Sequence, residues 1–310
     1  MVAEGISVLI PIYNVLIKNL VQNLHQQLLK INGKFEILLF DDGSQENFKN
    51  ENRIFSDWTN VVYKELPQNI GRSKIRNKLA LEATYKHLLF LDCDVSIVDK
   101  NYISNYLPLL NQFQIISGGT NYTINPPNDN ALKLHWLAGS KKEQKTALER
   151  NKKPFTSFTI NNLMIQKEVF LKYQLDESIS TYGHEDSLFG YKIMENNISI
   201  LHINNPVIHE GLNESHDYIK KSMTAVDNLC YIIKEYNIGK DTKLYQAYSL
   251  VRKLGLSKVF SIIIKMTENT IYTNLQSSNP SLILFDMVKL NRMIQFFTYT
   301  DTGTKSQRKF

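Results

Sequence analysis

The sequence predicts an α/β protein with a mostly parallel sheet flanked by helices, followed by a helical C-terminal region. Short apolar runs alternate with longer segments of helical periodicity from the N-terminus onward, a pattern typical of βαβ units. The runs EILLF and HLLFL are almost continuously apolar, as expected of strands buried on both faces. From about residue 215 only helical periodicity remains, so we expect two domains, residues 1–214 and 215–310.

The predicted elements follow in chain order. The first strands are expected at residues 6–12, 36–40, 61–66 and 87–91, and helical segments at 15–29, 71–86 and 101–110. Further strands are expected within residues 115–122, 157–165 and 199–202, with a helix beginning near residues 184–185. Polar residues end the early strands, so their side chains should collect at the carboxyl edge of one sheet, where open α/β sheets bind ligands.

The composition narrows the class of protein. The 310 residues are 43% hydrophobic, which is enough for a buried core. The 36 basic and 30 acidic residues are spread along the chain without a dense basic tract, so we expect no nucleic-acid partner. Two cysteines, Cys93 and Cys230, cannot form a disulfide framework and fit a reducing compartment.

The apolar segments also bear on localisation. The N-terminus has no basic region ahead of an apolar stretch, which argues against a secretory signal. The apolar runs near the C-terminus are shorter than the roughly 20 residues of a spanning helix. We therefore expect a cytoplasmic protein that does not cross a membrane.

Two carboxylates, Asp92 and Asp94, follow the predicted strand HLLFL. In an extended segment alternate side chains share a face, so both could reach one hard cation. Mg²⁺ or Mn²⁺ prefers oxygen ligands and can bridge a diphosphate. A solvated turn is the alternative interpretation, because Asp-x-Asp is a common spacing.

Two further motifs carry polar groups to the same edge. In the segment FEILLFDDGS, Asp41 and Asp42 follow the predicted strand. A carboxylate there could bind the N–H of a base, and Tyr13 could stack on that base. Turn capping by the acids and packing by Tyr13 are equally compatible. In NIGRSKIRN, Arg72, Lys74 and Arg76 lie near a predicted helix N-terminus. That arrangement suits phosphate binding or a solvated basic face.

The series SVLIPIYN, EILLFDDGS, NIGRSKIRN, FLDCD and YGHEDSLFGYKI resembles the inverting glycosyltransferases of family 2, which have the Rossmann-like GT-A fold. The resemblance covers roughly residues 6–211. It implies a nucleotide-sugar donor, a UDP-sugar in our interpretation, and a divalent cation, Mn²⁺ or Mg²⁺. The five motifs in order make the resemblance specific.

The resemblance also implies roles for individual residues. The donor nucleotide would be bound by Pro11, Tyr13, Asp41, Asp42, Arg76, Asn77, Asp92 and Cys93. Asp92 and Asp94 match the metal and diphosphate motif, and His209 lies where many relatives have a metal-ligating histidine. A hydrogen-bonded structural histidine is the alternative for His209. Asp186 is expected to be the catalytic base and Glu185 to orient the acceptor, unless Asp186 instead caps the following helix.

Other nucleotide-binding functions require motifs that differ from those of this sequence. A sugar-phosphate nucleotidyltransferase should carry a glycine-rich basic loop after the first strand, and an NAD-dependent oxidoreductase should carry G-x-G-x-x-G there. The segment PIYNVLIKN has no glycine. A non-catalytic carbohydrate-binding protein would not need both a metal pair and a distant Glu-Asp pair.

The remaining expectations concern the acceptor and the C-terminal helices. The resemblance implies a glycan or lipid-linked glycan acceptor in bacterial surface polysaccharide synthesis, and the sequence predicts no particular oligomeric state. The apolar residues of 282–297 form a broad helical face. This face could dock within the chain, pair with another subunit or rest on the inner face of the membrane. Docking within the chain is expected.

Overall fold

A computed structural model describes residues 3–179 and 181–301. The described residues cluster into two compact units. One comprises residues 3–123, 142–179 and 185–211, and the other comprises residues 124–141, 181–184 and 212–301.

The first unit contains all ten strands of the described residues. They are β1 Ala3–Ile12, β2 Phe35–Asp41, β3 Val61–Glu65, β4 Tyr85–Leu91, β5 Val95–Ser96, β6 Ile115–Ser117, β7 Thr120–Asn121, β8 Asn162–Gln166, β9 Ile200–His202 and β10 Val207–His209. Seven form a sheet in the order β3-β2-β1-β4-β8-β6-β9, and β5, β10 and β7 form a smaller sheet.

The large sheet is mostly parallel. Strand β1 pairs in parallel with β2 and β4, and β2 pairs in parallel with β3. Strand β8 is antiparallel to both β4 and β6. The register sets Ile12 opposite Asp41, so β1 and β2 end side by side. The predicted α/β fold and its mostly parallel sheet are confirmed.

Helices cover both faces of this sheet. In the first unit they are α1 Lys18–Leu28, α2 Glu46–Asn52, α3 Arg72–Glu82, α5 Ala147–Asn151, α6 Lys167–Tyr173 and α7 Glu185–Glu195. Helix α4, Lys133–Ala138, belongs to the second unit. One apolar cluster includes Leu24 of α1 with Val8 and Ile10 of β1. The opposite cluster includes Leu79 of α3 with Leu9 and Phe90. Alternate residues of β1 therefore enter opposite cores, as a strand buried on both faces requires.

The second unit is helical in its described residues. Besides α4 it contains α8 Ser215–Tyr236, α9 Lys243–Lys253, α10 Ser257–Met266, α11 Glu268–Leu275 and α12 Leu282–Asp301. Phe285 and Val288 of α12 pack with Tyr218 of α8, and Met293 and Ile294 pack with Val226. The predicted apolar face of 282–297 is thus covered within the chain, and the expected docking of this face within the chain is confirmed. Residues 302–310 of the predicted C-terminal domain lie outside the described residues.

One predicted helix is wrong. Residues 101–110 form successive turns and a short 3₁₀ helix, Leu107–Leu109, in place of an α-helix. Tyr102 and Tyr106 are fully buried and four residues apart, so the apolar spacing is that of a helix. Pro108 has no N–H to continue a helical hydrogen-bond ladder. The end of the next helix also differs from the prediction. The helix predicted over residues 71–86 ends at Glu82, and β4 already begins at Tyr85.

Candidate active site

The ends of β1 and β2 are tied together by polar contacts. The Asn14 N–H donates to Ser44 Oγ at 2.8 Å, and the Gln45 N–H donates to Asn14 Oδ1 at 2.8 Å. Tyr13 precedes this junction with 51% of its surface exposed. An exposed ring at the carboxyl edge of a parallel sheet is available for stacking on a planar ligand. Pro11, two residues earlier, is half-buried beside Phe40.

The two acids after β2 hold neighbouring loops. Asp41 is fully buried, and its Oδ1 accepts the Ser44 N–H at 2.7 Å while its Oδ2 has no partner among the described residues. Asp42 accepts the N–H groups of Ile70 at 2.7 Å and Gly71 at 3.2 Å. Burial raises the pKa of Asp42, and the two N–H groups partly offset this effect. These bonds bring the loop before α3 beside the end of β2. Base binding by either acid remains a prediction.

Helix α3 directs Arg76 to the acids after β4. Arg76 is 4% exposed, and its Nη2 lies 2.5 Å from Asp92 Oδ1. Burial raises the pKa of Asp92, but Arg76 and Arg72 outweigh it and lower the pKa below its ordinary value. Asp92 is therefore a carboxylate paired with arginine. Metal binding by Asp92 stays a prediction.

Asn77, the next residue of α3, has a different set of contacts. Its amide donates to the Leu175 carbonyl and to Glu177 Oε1, each at 3.0 Å, and accepts the Leu175 N–H at 3.0 Å. Both ends of the amide are engaged in bracing the segment after α6. Its predicted contact with the donor stays a prediction.

Asp94 and His209 meet through the small sheet. Strands β5 and β10 are antiparallel with His209 opposite Val95, the residue that follows Asp94. His209 Nδ1 lies 3.7 Å from Asp94 Oδ1, and the His209 ring packs edge-on against Tyr122 at 5.5 Å. The Asp94 carbonyl accepts the N–H groups of Glu210 and Gly211 at 2.9 and 3.2 Å.

The Asp94 carboxylate has the character of a cation ligand. Its Oδ1 is buried without a hydrogen-bond partner among the described residues, and burial and Asp92 raise its pKa. A buried carboxylate oxygen without a hydrogen-bond donor needs a polar or charged partner, and a cation fits that need. Within residues 3–179 and 181–301 no three His, Cys, Asp or Glu side chains are gathered as a metal cage. Asp94 and His209 would thus leave coordination positions open for ligands from a substrate.

A cavity of about 300 Å³ adjoins Asp94. It lies beside α1 and includes Cys93, Asn19 and Glu210 in its wall. Burial and the neighbouring Asp94 raise the pKa of the Cys93 thiol to about 12, so the thiol stays protonated and is a weak nucleophile. Cys93 therefore lines a cavity without being a nucleophile. Its contact with the donor nucleotide stays a prediction.

Glu185 and Asp186 begin α7. The Ile160 N–H donates to Asp186 Oδ2 at 3.1 Å, while Oδ1 is buried without a partner among the described residues. Burial first, and Glu185 second, raise the pKa of Asp186 to about 7. Asp186 accepts from Ile160 and lies inside the helix, so the alternative in which it caps α7 is not observed. A carboxylate with this pKa can take up a proton near neutral pH.

Arg72 connects the two groups of acids, a contact that the sequence did not predict. Its Nε lies 3.1 Å from Glu185 Oε1 and its Nη2 lies 3.7 Å from Asp92 Oδ2. Arg72 and Arg76 are four residues apart on one helix face, so α3 presents two guanidinium groups to Asp92. Gly211 is a second missed residue, because a Cβ there would lie 2.1 Å from Asp94 Oδ2. The sequence signal that could have identified Arg72 is its position as a basic residue at the start of helix α3.

A family model described as glycosyl transferase family 2 matches residues 7–173, more than half of the chain. The chain belongs to glycosyltransferase family 2. Chondroitin synthase from Escherichia coli is 25% identical to it over 227 residues, which are 62% of this chain and 32% of that protein. This family 2 chain thus spans about a third of the length of the curated relative it matches.

Solved structures share the fold of this family 2 chain. S. aureus TarS 1-349 in complex with UDP aligns with a TM-score of 0.51 and 16% identity, covering 98% of this chain and 93% of that chain. The mannosyltransferase PcManGT from Pyrobaculum calidifontis in complex with GDP-Man and Mn²⁺ aligns with a TM-score of 0.54 and 12% identity, covering 99% and 88%. The GT-A fold predicted by the resemblance is confirmed, and the chain is a glycosyltransferase by family.

Proposed function

We propose that this family 2 glycosyltransferase moves a sugar from a UDP-sugar to an acceptor hydroxyl with inversion at the anomeric carbon. The observation that carries the proposal is Asp186, a buried carboxylate whose pKa is raised to about 7 and whose Oδ1 has no partner among the described residues. Arg72 joins its neighbour Glu185 to Asp92. Through Arg72, the residues proposed to bind the acceptor, Glu185 and Asp186, are connected to Asp92, which is proposed to lie beside the donor diphosphate.

The proposed donor site lies at the carboxyl edge of the large sheet. Tyr13 would stack on the base, with Pro11, Asp41 and Asp42 around it, and Arg76 would face the diphosphate. Asp94 and His209 would hold Mn²⁺ or Mg²⁺, with Asp92 as a further candidate ligand. When bound, such a cation supplies positive charge against the diphosphate that leaves. The support for a metal is the buried Asp94 Oδ1, which accepts no hydrogen bond from the described residues and lies 3.7 Å from His209 Nδ1.

The chemistry at the acceptor is a single displacement. The acceptor oxygen attacks the anomeric carbon, the bond from that carbon to the diphosphate oxygen breaks, and the nucleoside diphosphate leaves with the electron pair. Asp186 takes the proton of the attacking hydroxyl, and Glu185 orients the acceptor through a hydrogen bond. Arg72 and Arg76 place positive charge beside Asp92, where negative charge grows on the leaving group. General-base assistance of this kind is worth about 10²–10⁴-fold in rate.

The cellular setting belongs to the same proposal. We place residues 1–214 as the catalytic domain and residues 215–310 as a helical region, acting in the cytoplasm on a glycan or lipid-linked glycan acceptor of bacterial polysaccharide synthesis. No helix among residues 3–179 and 181–301 is long and apolar enough to cross a bilayer. Peripheral contact with the inner face of the membrane is compatible with that finding.

The test is release of UDP from a panel of UDP-sugars, measured with and without Mn²⁺ and with candidate acceptors. We expect release that needs Mn²⁺ and is lost in Asp94→Ala. In Asp186→Asn, transfer to the acceptor should fall about 10²–10⁴-fold while UDP binding is retained. Absence of release from every donor, or full activity of Asp186→Asn, would refute the proposed function. Lys78→Gln is the control, because Lys78 of α3 pairs with Glu82 at 3.2 Å, and this variant should behave as the wild type.

A further inference from the structure

Helix α10 has two apolar faces, and one of them is exposed. On one side Ile264 is 5% exposed and packs with Phe285 and Val288 of α12, and Phe260 is half-buried against the same helices. On the other side Val259, Ile262, Ile263 and Met266 are between 48% and 81% exposed. Residues at these spacings share one helix face. Packing within the second unit therefore accounts for one face only.

The turn before α10 extends this surface. Leu254 and Leu256 flank Gly255 and are 60% and 47% exposed. We call the six side chains the α10 apolar surface: Leu254, Leu256, Val259, Ile262, Ile263 and Met266. Single exposed apolar residues are ordinary, but six within one helix and its preceding turn mark an interaction site.

The charges around this surface are of one sign. Between Asp241 and Glu268 the sequence contains five basic residues and no acidic one; the basic residues are Lys243, Arg252, Lys253, Lys258 and Lys265. Lys253, Lys258 and Lys265 are exposed. On a helical wheel, Lys258 and Lys265 fall on the same edge of the exposed apolar face of α10. An apolar helix face bordered by lysines is the pattern of helices that lie in the interface of an anionic bilayer.

We propose that the α10 apolar surface docks the protein on an anionic membrane, with α10 lying in the lipid interface. Its apolar side chains would enter the boundary between headgroups and acyl chains, and the lysines would pair with lipid phosphates. A second copy of the chain is a poorer occupant, because a twofold contact would bring the basic borders of both copies together. This inference uses a surface other than 282–297 and does not depend on the proposed catalytic chemistry.

The test is co-sedimentation of the full chain with vesicles of phosphatidylglycerol and phosphatidylcholine, compared with phosphatidylcholine alone. We expect binding to the anionic vesicles only, weakening as salt is raised. Ile262→Ser with Met266→Ser should reduce the vesicle partition coefficient about tenfold or more. Lys258→Gln with Lys265→Gln, which keeps every apolar side chain, should also reduce it about tenfold.

The matched control is Ile124→Ser with Leu148→Ser, two apolar residues that are 96% and 73% exposed elsewhere; this variant should bind vesicles as the wild type does. Circular dichroism checks that each variant is folded. The proposal is overturned if the wild type stays in the supernatant with anionic vesicles, or if the Ile262/Met266 variant binds as well as the control. A dimer in sedimentation equilibrium that this variant abolishes, without vesicle binding by the wild type, would assign the surface to a second copy instead.

Discussion

The Arg72 guanidinium is joined to Glu185, with its Nε 3.1 Å from Glu185 Oε1. Glu185 is 4% exposed, whereas the Arg72 side chain is 41% exposed, so the buried acid is paired by an arginine that reaches it from α3. Arg72 also approaches Asp92 at 3.7 Å. One side chain thus influences the charge of both groups of acids.

Replacing Arg72 should change the pH dependence of transfer. Burial and Glu185 raise the pKa of Asp186, whereas Arg76 and, to a smaller extent, Arg72 lower it, so Arg72→Gln should raise that pKa further and keep Asp186 protonated up to a higher pH. We expect the acidic limb of the kcat profile to move to higher pH and kcat at neutral pH to fall. A pH–rate profile measures the shift, with Lys78→Gln of the same helix as control. An unmoved acidic limb would contradict the assigned influence on Asp186.

Asp186 should also make stability depend on pH. Its pKa of about 7 in the folded protein lies above the ordinary value of 3.8, so the folded state holds a proton that the unfolded state releases between these values. Stability from this group therefore falls as pH rises from about 4 to about 7. Asp186→Asn removes the effect and should be more stable than the wild type at pH values above about 7, by at least about 1 kcal/mol.

Urea unfolding across that pH range measures the difference in free energy of unfolding between Asp186→Asn and the wild type. The advantage of the Asn variant should grow with pH through the interval and then level off. A difference that is constant with pH would show that the carboxyl has an ordinary pKa.

Gly211 should be needed for the position of Asp94. A Cβ at residue 211 would lie 2.1 Å from Asp94 Oδ2, so Gly211→Ala forces the carboxylate to move. We expect the Mn²⁺ concentration for half-maximal activity to rise about tenfold or more, since ligand placement sets metal affinity. Gly33→Ala is the control, because nothing lies within 4 Å of a Cβ there. Equal Mn²⁺ requirements of the two variants would count against Asp94 as a ligand.

Arg150 should be a major stabilising residue. It is 5% exposed and follows a capping box formed by Thr146 and Glu149. Its guanidinium donates to the carbonyls of Gly118 and Ile203 at 3.0 and 2.7 Å, and it also contacts Ser117, Lys145 and His202. Arg150→Met removes all of these bonds at once, and among the described residues only the Ser117 and Gly118 carbonyls keep a backbone N–H donor, from Ile203 and Asn205.

We expect Arg150→Met to lower the free energy of unfolding by about 3 kcal/mol or more. Arg53→Gln is the control: Arg53 pairs with Glu46 and Glu65 at the surface, and losing such a pair costs less than about 1 kcal/mol. Urea unfolding compares the two variants. Similar losses for both would contradict the role of Arg150.

The central strands could be predicted from the sequence because burial on both faces demands continuous apolar runs. EILLF and HLLFL fall in β2 and β4, and both strands are buried from the third residue onward. The turns of residues 101–110 were mistaken for a helix since Tyr102 and Tyr106 reach the core at helical spacing. Periodicity reports which side chains are buried and does not report the hydrogen bonds of the backbone.

The candidate site was predictable in part. Asp92 and Asp94 follow a recognisable strand, and the resemblance supplied His209 and Asp186. The contact between Arg72 and Glu185 joins residues more than a hundred positions apart, and no local pattern encodes it. Gly211 owes its importance to the approach of Asp94, which depends on the pairing of β5 with β10.

A crystal structure with UDP and Mn²⁺ bound tests the central claim most directly. We expect the base against Tyr13 and Asp42, and Mn²⁺ coordinated by Asp94, by His209 and by the diphosphate. UDP bound elsewhere, or Mn²⁺ without contact to Asp94, would contradict the proposed active site.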